Sequence, residues 1–335
     1  MHGGSGLKSK PVRLIDIAQK AGVSITTVSH VINKTRYVKR ETREYILKIM
    51  EELSYEKKKP KSVHSTTRFI GVIVANILED YYISVIKAIE TYASEQGFSI
   101  LLCDSENDAE LEKLNIRSIL EKNVGGIILA PVDSRKCPKE ILTTTIPMVF
   151  VDRKYEGADK IFVGINNFES GYAGTHYLAT KGCKNIGFIS YPETVYTCQQ
   201  RLLGYSFYIQ KNFANAAPNV LTLNYKQEDS NRLICKFIED AKPDGVLCAT
   251  SDICYQLIGS LEEMGISIPQ QIKIVTYDDN KWLDYLKYPI SVITQPTVEI
   301  GFMAIDNLIR LMQNEGEDKK IGTSIFLETG FIDRL

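Results

Sequence analysis

Two different hydrophobic periods divide the chain near residue 68. Before that point, apolar residues recur three and four positions apart, which predicts three amphipathic helices over about 14–21, 25–33 and 41–53. Gly22 is expected to end the first helix and Ser24 to cap the second. Three short helices with a glycine turn between the first two predict a helix-turn-helix unit.

The second predicted helix has two unlike faces. Val28, Val31 and Ile32 form an apolar inward face. The outward face carries small hydrogen-bonding side chains, which are Thr26, Ser29, His30 and Asn33. In a helix-turn-helix this helix enters the major groove of DNA, so the outward face suits contact with base edges. A small helical bundle without a DNA function is the alternative at this point.

The charge distribution favours a nucleic acid as the partner of the N-terminal segment. Residues 1–68 contain 15 Lys and Arg against 6 Asp and Glu, whereas the remainder contains 25 against 35. A basic unit attached to an acidic body is typical of nucleic-acid-binding proteins. A solvated basic tail would carry the same charge, so the predicted helices decide between the two interpretations.

From residue 69 onward, short apolar runs alternate with helical stretches. The predicted strands are 69–75, 99–104, 125–131, 148–152, 185–190, 220–223, 244–249, 273–277 and 291–294. Apolar strands separated by long helices predict parallel sheets that are covered on both faces. The expected fold is a small all-α helix-turn-helix head plus an α/β core of two doubly wound parallel-sheet lobes. Ligands of such folds bind at the carboxyl ends of the strands, here in the cleft between the lobes.

Composition and motifs argue against several other classes of protein. The seven cysteines are scattered without a C-x-x-C pair and there are four histidines, so we expect no disulfide framework, metal site or cofactor. No apolar run approaches the ~20 residues of a membrane span. The motifs G-x-G-x-x-G, G-x-S-x-G and H-E-x-x-H are missing, so we expect no catalytic residues. A cytoplasmic protein that is not an enzyme is predicted.

Several segments resemble the lactose-repressor (LacI/GalR) family, from Arg13 to about Asp333. The matching segments of the head are Leu14–Ala18, Ala21–Ser24, Thr27–Ser29, Val31–Asn33 and Glu41–Arg43. Those of the body are 76–82, 149–153, 201–205, 250–252, 277–279 and 294–296. Residues 76–82 occupy the place of the family's D-I-x-N-P-F-F loop. The family's body resembles periplasmic sugar-binding proteins, which implies that about 297–325 return to the first lobe.

The resemblance implies which residues contact DNA. The base edges would be contacted by Ile25, Thr26 and His30, and the phosphates by Ser24, Thr27, Ser29, Asn33 and Tyr37. Leu14, at the start of the first helix, is counted with them. His30 stands where Arg is usual, which replaces a bidentate guanine contact by a single one. Lys39 stands where a Ser usually caps the third helix.

The linker at 56–68 departs most from the family. Relatives carry a hinge resembling P-N-x-x-A-R-x-L, which folds on DNA and inserts its Leu into the minor groove. Here the segment is about two residues shorter, and Val63 is the only apolar candidate for that insertion. We expect the linker to hold phosphates, with less bending of the DNA, through Lys57, Lys58, Lys59 and Lys61.

The resemblance and side-chain chemistry together predict a site for a polyhydroxylated effector. Asp152 and Asp278 can accept hydroxyl hydrogen bonds, and Arg201 supplies a rigid fork of donors. The full predicted set is Tyr81, Tyr82, Asp152, Arg201, Ser251 and Asp278. Asp278 could instead cap the following helix, Arg201 could lie on the surface, and the tyrosines could only pack the lobes together.

These inferences predict a homodimeric DNA-binding repressor that is controlled by a sugar or sugar derivative. The predicted parts are a head at 11–55, a hinge at 56–68, and a core at 69–335, with lobe 1 at about 69–163 plus 297–325 and lobe 2 at about 164–294 plus 326–335. The partners would be near-palindromic operator DNA and a small molecule, with no membrane. A purine-type corepressor system is one alternative. A sugar-binding module without a regulatory role is another, although it would have no use for 11–55.

Overall fold

The computed structural model describes residues 12, 14–33, 38–53, 55, 68–213, 217–225, 229–313 and 324–335. The chain divides into two units, a head within residues 1–64 and a body within residues 65–335. Each unit is described by itself.

Three helices build the head: α1 (Leu14–Ala21), α2 (Ile25–Asn33) and α3 (Arg40–Glu52). Their apolar faces meet in a small core that buries Ile17, Val28 and Ile46 completely. The Ser24 hydroxyl accepts a hydrogen bond from the backbone N–H of Thr27 at 3.1 Å, so Ser24 caps α2 as predicted. The head therefore has the arrangement that its 3.6-residue period predicts.

In the described part of the body, the strands form two sheets of six. The first contains β1 (Phe69–Val74), β2 (Ser99–Asp104), β3 (Gly126–Leu129), β4 (Met148–Val151), β5 (Ile161–Ile165) and β11 (Ser324–Leu327), in the order β11-β5-β4-β3-β1-β2. The second contains β6 (Ile186–Ser190), β7 (Asn219–Thr222), β8 (Gly245–Cys248), β9 (Lys273–Tyr277), β10 (Ser291–Thr294) and β12 (Gly330–Ile332), in the order β12-β10-β9-β8-β6-β7. Every pair is parallel except β10 with β12.

Helices cover both sheets, as a parallel sheet requires. They are α4 (Asp80–Glu95), α5 (Ala109–Glu121), α6 (Lys139–Thr143), α7 (Asn167–Thr180), α8 (Tyr196–Asn212), α9 (Ser230–Ala241), α10 (Ser251–Glu263) and α11 (Thr297–Gln313), with a 3₁₀ helix at Lys281–Tyr285. Helix α11 packs on α4 and so returns the chain to the first lobe. Among the residues that the structure describes, no helix has the length and apolar character that crossing a membrane requires.

The nine predicted strands are all present, each within two residues of its predicted ends. Three further strands, β5, β11 and β12, were not predicted. The two segments of the first lobe were predicted to end at residues 163 and 325. In the structure β5 ends at residue 165 and β11 at residue 327, so each segment is two residues longer. The strands β11 and β12 are four and three residues long, which is too short for a period of two to be recognised.

Two glycines let α7 and α8 approach each other closely. A Cβ added at Gly204 of α8 would overlap the backbone carbonyl of Phe168, and one added at Gly171 of α7 would overlap the carbonyl of Arg201. Backbone cannot move aside as a flexible side chain can. The contact matters for the site because it fixes the position of α8, and therefore of Arg201, relative to α7.

We expect Gly204→Ala to lower the free energy of unfolding by about 1–3 kcal/mol, the usual range for overpacking a core. Gly259, exposed in the interior of α10, has open space where a Cβ would lie. Gly259→Ala should therefore be stabilising, by about 0.5–1 kcal/mol. Urea denaturation of both variants, followed by the fluorescence of Trp282, measures the pair. Equal effects of the two substitutions would contradict the close approach of α7 and α8.

Candidate functional site

Two of the predicted DNA-binding side chains are not on the surface of the head. Ile25 is only 7% exposed and Leu14 only 8%, because both pack into the core between the helices. The expectation that Ile25 reads base edges with its side chain is therefore wrong. Leu14 can offer DNA its backbone N–H, which has no partner within the helix at the first position of α1, but not its side chain.

Ser24 and Thr27 lie together at the start of α2. Ser24 is exposed, and its hydroxyl lies 2.9 Å from that of Thr27. Ser24 and the half-buried Thr27 can therefore both be reached by solvent, and their contact with phosphate oxygens stays a prediction. The remaining predicted contacts lie outside what the structure describes: the side chains of Thr26, Ser29, His30 and Asn33, and the residues Tyr37, Lys57, Lys58, Lys59 and Lys61. Lys39 precedes α3 and its side chain makes no capping hydrogen bond.

In the body, Asp152 and Asp278 occupy equivalent places in the two lobes. Asp152 directly follows β4 and Asp278 directly follows β9. Both have left-handed backbone conformations, with φ of 63° and 65°. Each donates its backbone N–H to the neighbouring strand, at 3.0 Å to Val163 and at 3.0 Å to Ile293. A non-glycine residue held in this conformation at a strand end is a mark of functional sites.

The carboxylate of Asp152 is held by two neighbours. It accepts a hydrogen bond from the hydroxyl of Tyr82 at 2.8 Å, and one of its oxygens lies 3.3 Å from Nε of Arg153. The Arg153 side chain is only 4% exposed, and its Nη2 lies 3.4 Å from the hydroxyl of Tyr225 in the other lobe. Arg153 therefore connects the two lobes. It lies in the matching segment 149–153 but was not among the predicted site residues.

Asp278 binds a side chain and does not cap the 3₁₀ helix that follows it. It accepts a hydrogen bond from Nε2 of Gln295 at 2.9 Å, and Asn280 is the residue that precedes the 3₁₀ helix. Burial raises the pKa of the Asp278 carboxyl to about 6, against the opposing effect of the Arg201 guanidinium. A carboxyl in this state titrates close to neutral pH and responds to any charge placed beside it.

Arg201 is buried at 3% exposure and is not a surface residue. Its Nε donates to Oδ1 of Asn167 at 2.8 Å and its Nη1 donates to the carbonyl of Ala249 at 2.5 Å. The guanidinium carbon lies 3.5 Å from the centre of the Tyr277 ring, a cation–π contact. These contacts fix the fork of donors at the carboxyl ends of β8 and β9.

The two predicted tyrosines pack edge to face, with ring centres 5.2 Å apart, and both are buried. Tyr82 donates to Asp152, and the buried hydroxyl of Tyr81 lies close to the same carboxylate without a hydrogen bond of good geometry. Other buried polar atoms at the strand ends are unpartnered in the same way: Arg153 Nη1, Ser190 Oγ and Gln295 Oε1. Buried polar groups in proteins are almost always hydrogen-bonded, so these atoms are suited to bind a ligand.

An aromatic pair in the second lobe was missed by the sequence analysis. The rings of Tyr191 and Tyr225 stack at 3.9 Å with an interplanar angle of 20°. The Tyr191 hydroxyl donates to Asp252, which also accepts from Gln256 at 2.8 Å. Ser251, the predicted residue, begins α10 half-buried beside Asp252. Asp252 follows Ser251 in a quoted motif, whereas Tyr225 belongs to no recognised pattern.

Glu79, like Arg153 and Asp252, lies in one of the matching motifs but was not predicted as a site residue. It precedes α4, and its side chain makes no capping hydrogen bond to that helix. Burial raises its pKa to about 7, opposed by Arg153 and reinforced by the carboxylates of Asp152, Asp278 and Asp252. Glu79 is half-buried, and burial makes its charged form less favourable.

The sequence and the fold were compared with known proteins. Residues 13–58 match the model of bacterial regulatory proteins of the lacI family, and residues 175–335 match that of the periplasmic binding protein-like domain. The HTH-type transcriptional repressor PurR of Vibrio atlanticus (strain LGP32) is 32% identical over 317 residues, which cover 91% of this chain and 93% of the relative.

Two solved structures share the fold of this chain. The complex of the transcriptional regulator CelR with cellobiose has a TM-score of 0.70 at 22% identity and covers 96% of this chain and 99% of that one. The lac repressor dimer bound to operator and the anti-inducer ONPF has a TM-score of 0.68 at 23% identity, over 97% and 98%.

Proposed function

Because this chain belongs to the lacI family of bacterial regulatory proteins, we propose that it is a dimeric transcriptional repressor that binds a near-palindromic operator. The head supports this function with a helix-turn-helix whose second helix is capped by Ser24 and keeps its apolar side buried. The lysines of the linker would add phosphate contacts. Such a protein acts on the chromosome, in the cytoplasm, and uses no catalytic residue.

We infer further that a sugar or sugar derivative binds between the lobes and sets the affinity for the operator. The observation that supports this most directly is the pair of left-handed aspartates, Asp152 and Asp278, together with the buried guanidinium of Arg201. Carboxylate and guanidinium groups recognise adjacent hydroxyls. A ligand that binds one arrangement of the lobes better than the other shifts the population of DNA-binding molecules.

A purine-type corepressor is the second candidate for the effector. It is favoured by the likeness to the PurR repressors and by the stacked rings of Tyr191 and Tyr225, which could hold a planar base. Thermal-shift measurements with sugars, sugar acids and purines separate the two candidates. Gel shifts with and without the ligand found then give the sign of the response.

The DNA-binding prediction is tested on an operator selected from random sequences. We expect Thr26→Ala or His30→Ala to weaken discrimination at one base position of each half-site by about 1–3 kcal/mol, with non-specific binding retained. Half-sites should lie about one helical turn apart. Gln19→Ala, exposed on α1, is the matched control and should leave selectivity unchanged. Unchanged selectivity in both test variants would remove α2 as the recognition helix.

A further inference from the structure

We propose that Arg334 is a positioning residue of the effector site, because it holds in place the turn that carries Asp278. Arg334 lies two residues after β12 and acts on the effector through Asp278, without contacting it. The inference rests on the proposed function, since it concerns the same site and the same carboxylate.

Asp278 is the first residue of a tight turn that follows β9. Its backbone carbonyl accepts a hydrogen bond from the N–H of Asn280 at 2.9 Å, which leaves Asp279 in the middle of the turn. The φ of Asp278 is 65°, a left-handed conformation that is unfavourable for a residue with a Cβ. Such a conformation persists only where the surrounding structure fixes it. The turn therefore needs anchors outside its own backbone.

Two anchors of the turn come from β10 and the residue after it. The backbone N–H of Asp278 donates to the carbonyl of Ile293 at 3.0 Å, and its carboxylate accepts from Nε2 of Gln295 at 2.9 Å. Both contacts hold Asp278 itself. They leave the next residue, Asp279, from which the chain continues into the 3₁₀ helix, to be held by another part of the structure.

Arg334 supplies the anchor for Asp279. Its Nη2 donates to Oδ1 of Asp279 at 2.7 Å, a short charge-assisted hydrogen bond, and lies 3.7 Å from the carboxylate of Asp284 in the 3₁₀ helix. Its Nη1 donates to the carbonyl of Ile290 at 3.4 Å. The guanidinium therefore contacts the beginning, the middle and the end of the connection 278–290 between β9 and β10.

The position of Arg334 is itself fixed by the second sheet. The strand β12 pairs with β10, and the backbone N–H of Arg334 donates to Oγ of Ser291 at 3.0 Å. Ser291 is fully buried, and its hydroxyl also lies 2.9 Å from that of Tyr177 on α7. The Arg334 and Asp279 side chains are 26% and 36% exposed, so salt screens their ion pair less than it screens a pair on the open surface. Arg334 is therefore a rigid support for the turn.

The equivalent turn of the first lobe is also held by an arginine. Asp152 follows β4 with a φ of 63°, and Nε of Arg153 lies 3.3 Å from its carboxylate. In the first lobe the arginine is the next residue in the chain, whereas in the second it comes from 55 residues beyond Asp279. Each left-handed aspartate of the site is thus supported by one guanidinium.

Removing Arg334 should disturb the site more than the fold. A group that binds a ligand has to be held within about 0.5 Å of its productive position. Without the anchor on Asp279, Asp278 becomes less ordered, and the ligand has to order it again at a cost in affinity. The ion pair itself is partly exposed, so its loss should change the stability of the body only slightly.

Hydrogen exchange of the full chain without ligand tests the support directly. We expect Arg334→Gln to accelerate exchange of the amides in 278–290 severalfold and to leave those of the first lobe unchanged. The only tryptophan, Trp282, lies in this connection, so acrylamide should quench its fluorescence more strongly. Arg334→Lys keeps the charge without the planar fork and should restore part of the protection. Lys281→Gln removes an exposed cation from the same connection and is the matched control.

Binding of D-ribose, D-glucose, D-galactose and adenine, measured by calorimetry, tests the consequence for the effector. Every probe that binds the parent should bind Arg334→Gln about tenfold or more weakly, whereas Lys281→Gln should bind it as the parent does. Asp279→Asn removes the same ion pair from its other end and should reproduce both effects. This variant decides the matter if Arg334→Gln does not fold.

Three results would overturn the inference. They are exchange of 278–290 at the parent's rate in Arg334→Gln and Asp279→Asn, parent-like affinity of these variants for a probe, and faster exchange across the whole body, which would make Arg334 a merely structural residue. A parent that binds none of the four probes would count against the proposed effector, whereas hydrogen exchange would still decide whether Arg334 holds Asp278 in place.

Discussion

Replacing Arg201 by Ala should lower the free energy of unfolding of the body by about 3–6 kcal/mol and abolish its response to the effector. Arg201 makes two buried hydrogen bonds, and a hydrogen bond to a charged group contributes about 1.5–3 kcal/mol. The substitution leaves Oδ1 of Asn167 and the carbonyl of Ala249 without this donor and removes the cation from the Tyr277 ring. It also removes the fork that we expect to bind the ligand.

Urea denaturation followed by Trp282 fluorescence measures the stability, and calorimetry well below the midpoint measures binding. Arg201→Lys keeps the charge but cannot donate from a planar fork, so it should lose the ligand response with a smaller loss of stability. Arg232→Ala is the control, because that exposed arginine pairs with Asp229 at the surface of α9. An Arg201→Ala variant that is as stable as the parent, or that responds to ligand like it, would show that Arg201 does not have this role.

A buried carboxyl in the first lobe should make stability depend on pH. Glu112 of α5 is 2% exposed, accepts a hydrogen bond from the backbone N–H of Val132 at 2.6 Å, and is bound by the hydroxyl of Tyr155. Burial raises its pKa from 4.5 to about 7, although both hydrogen bonds oppose the shift. The protonated form is therefore the one that the folded body favours.

Stability should fall as the pH rises through this interval. Below pH 4.5 Glu112 is protonated in both states, whereas between about 4.5 and 7 the unfolded chain loses its proton first. The loss is complete above pH 7 and amounts to about 3 kcal/mol for a shift of this size. Glu112→Gln mimics the protonated acid, since its amide can donate to Tyr155 while its oxygen accepts from Val132. This variant should lack that part of the decline.

Chemical denaturation at pH 5, 6, 7 and 8 gives the two profiles, with Glu110→Gln as the control on the same helix. Glu79 and Asp278, whose pKa values are raised as well, should contribute to the decline that remains in Glu112→Gln. Parallel profiles of the parent and Glu112→Gln would mean that Glu112 does not hold its proton in the folded body. A parent whose stability rises from pH 5 to 7 would contradict the sign of the effect.

Much of the fold could be predicted because each strand and helix carries its own hydrophobic period. The strand β1 is five-sixths buried and reads as a continuous apolar run, as does β4. The strand β12 could not be predicted, since three residues carry no period and its pairing with β10 joins segments 36 residues apart. The sequence around β12 does not specify this pairing, because it depends on which strand lies at the edge of the folded sheet.

Only those residues of the candidate site that carry a signal in the local sequence could be predicted. Asp152 and Asp278 directly follow apolar strands, so the rule that ligands bind at carboxyl ends finds them. Ile25 was expected to face base edges because the resemblance implies that role but does not say where the side chain points. Its apolar side chain is instead buried in the core of the head. Tyr225 follows the half-exposed strand β7 in a polar stretch and carries no such signal.

The sequence by itself determined the two-unit organisation, the helix-turn-helix, the succession of parallel strands and the family. These features rest on periods of two and 3.6 residues and on short motifs, which depend on neighbours along the chain. Only the tertiary structure decided that Arg153 reaches Tyr225 in the other lobe and that Tyr191 binds Asp252. It also decided that Glu112 is buried against Tyr155. The residues next to a carboxylate in the sequence do not show whether water or a second carboxylate surrounds it in the fold. Its burial and its pKa are set by residues that are distant in the chain.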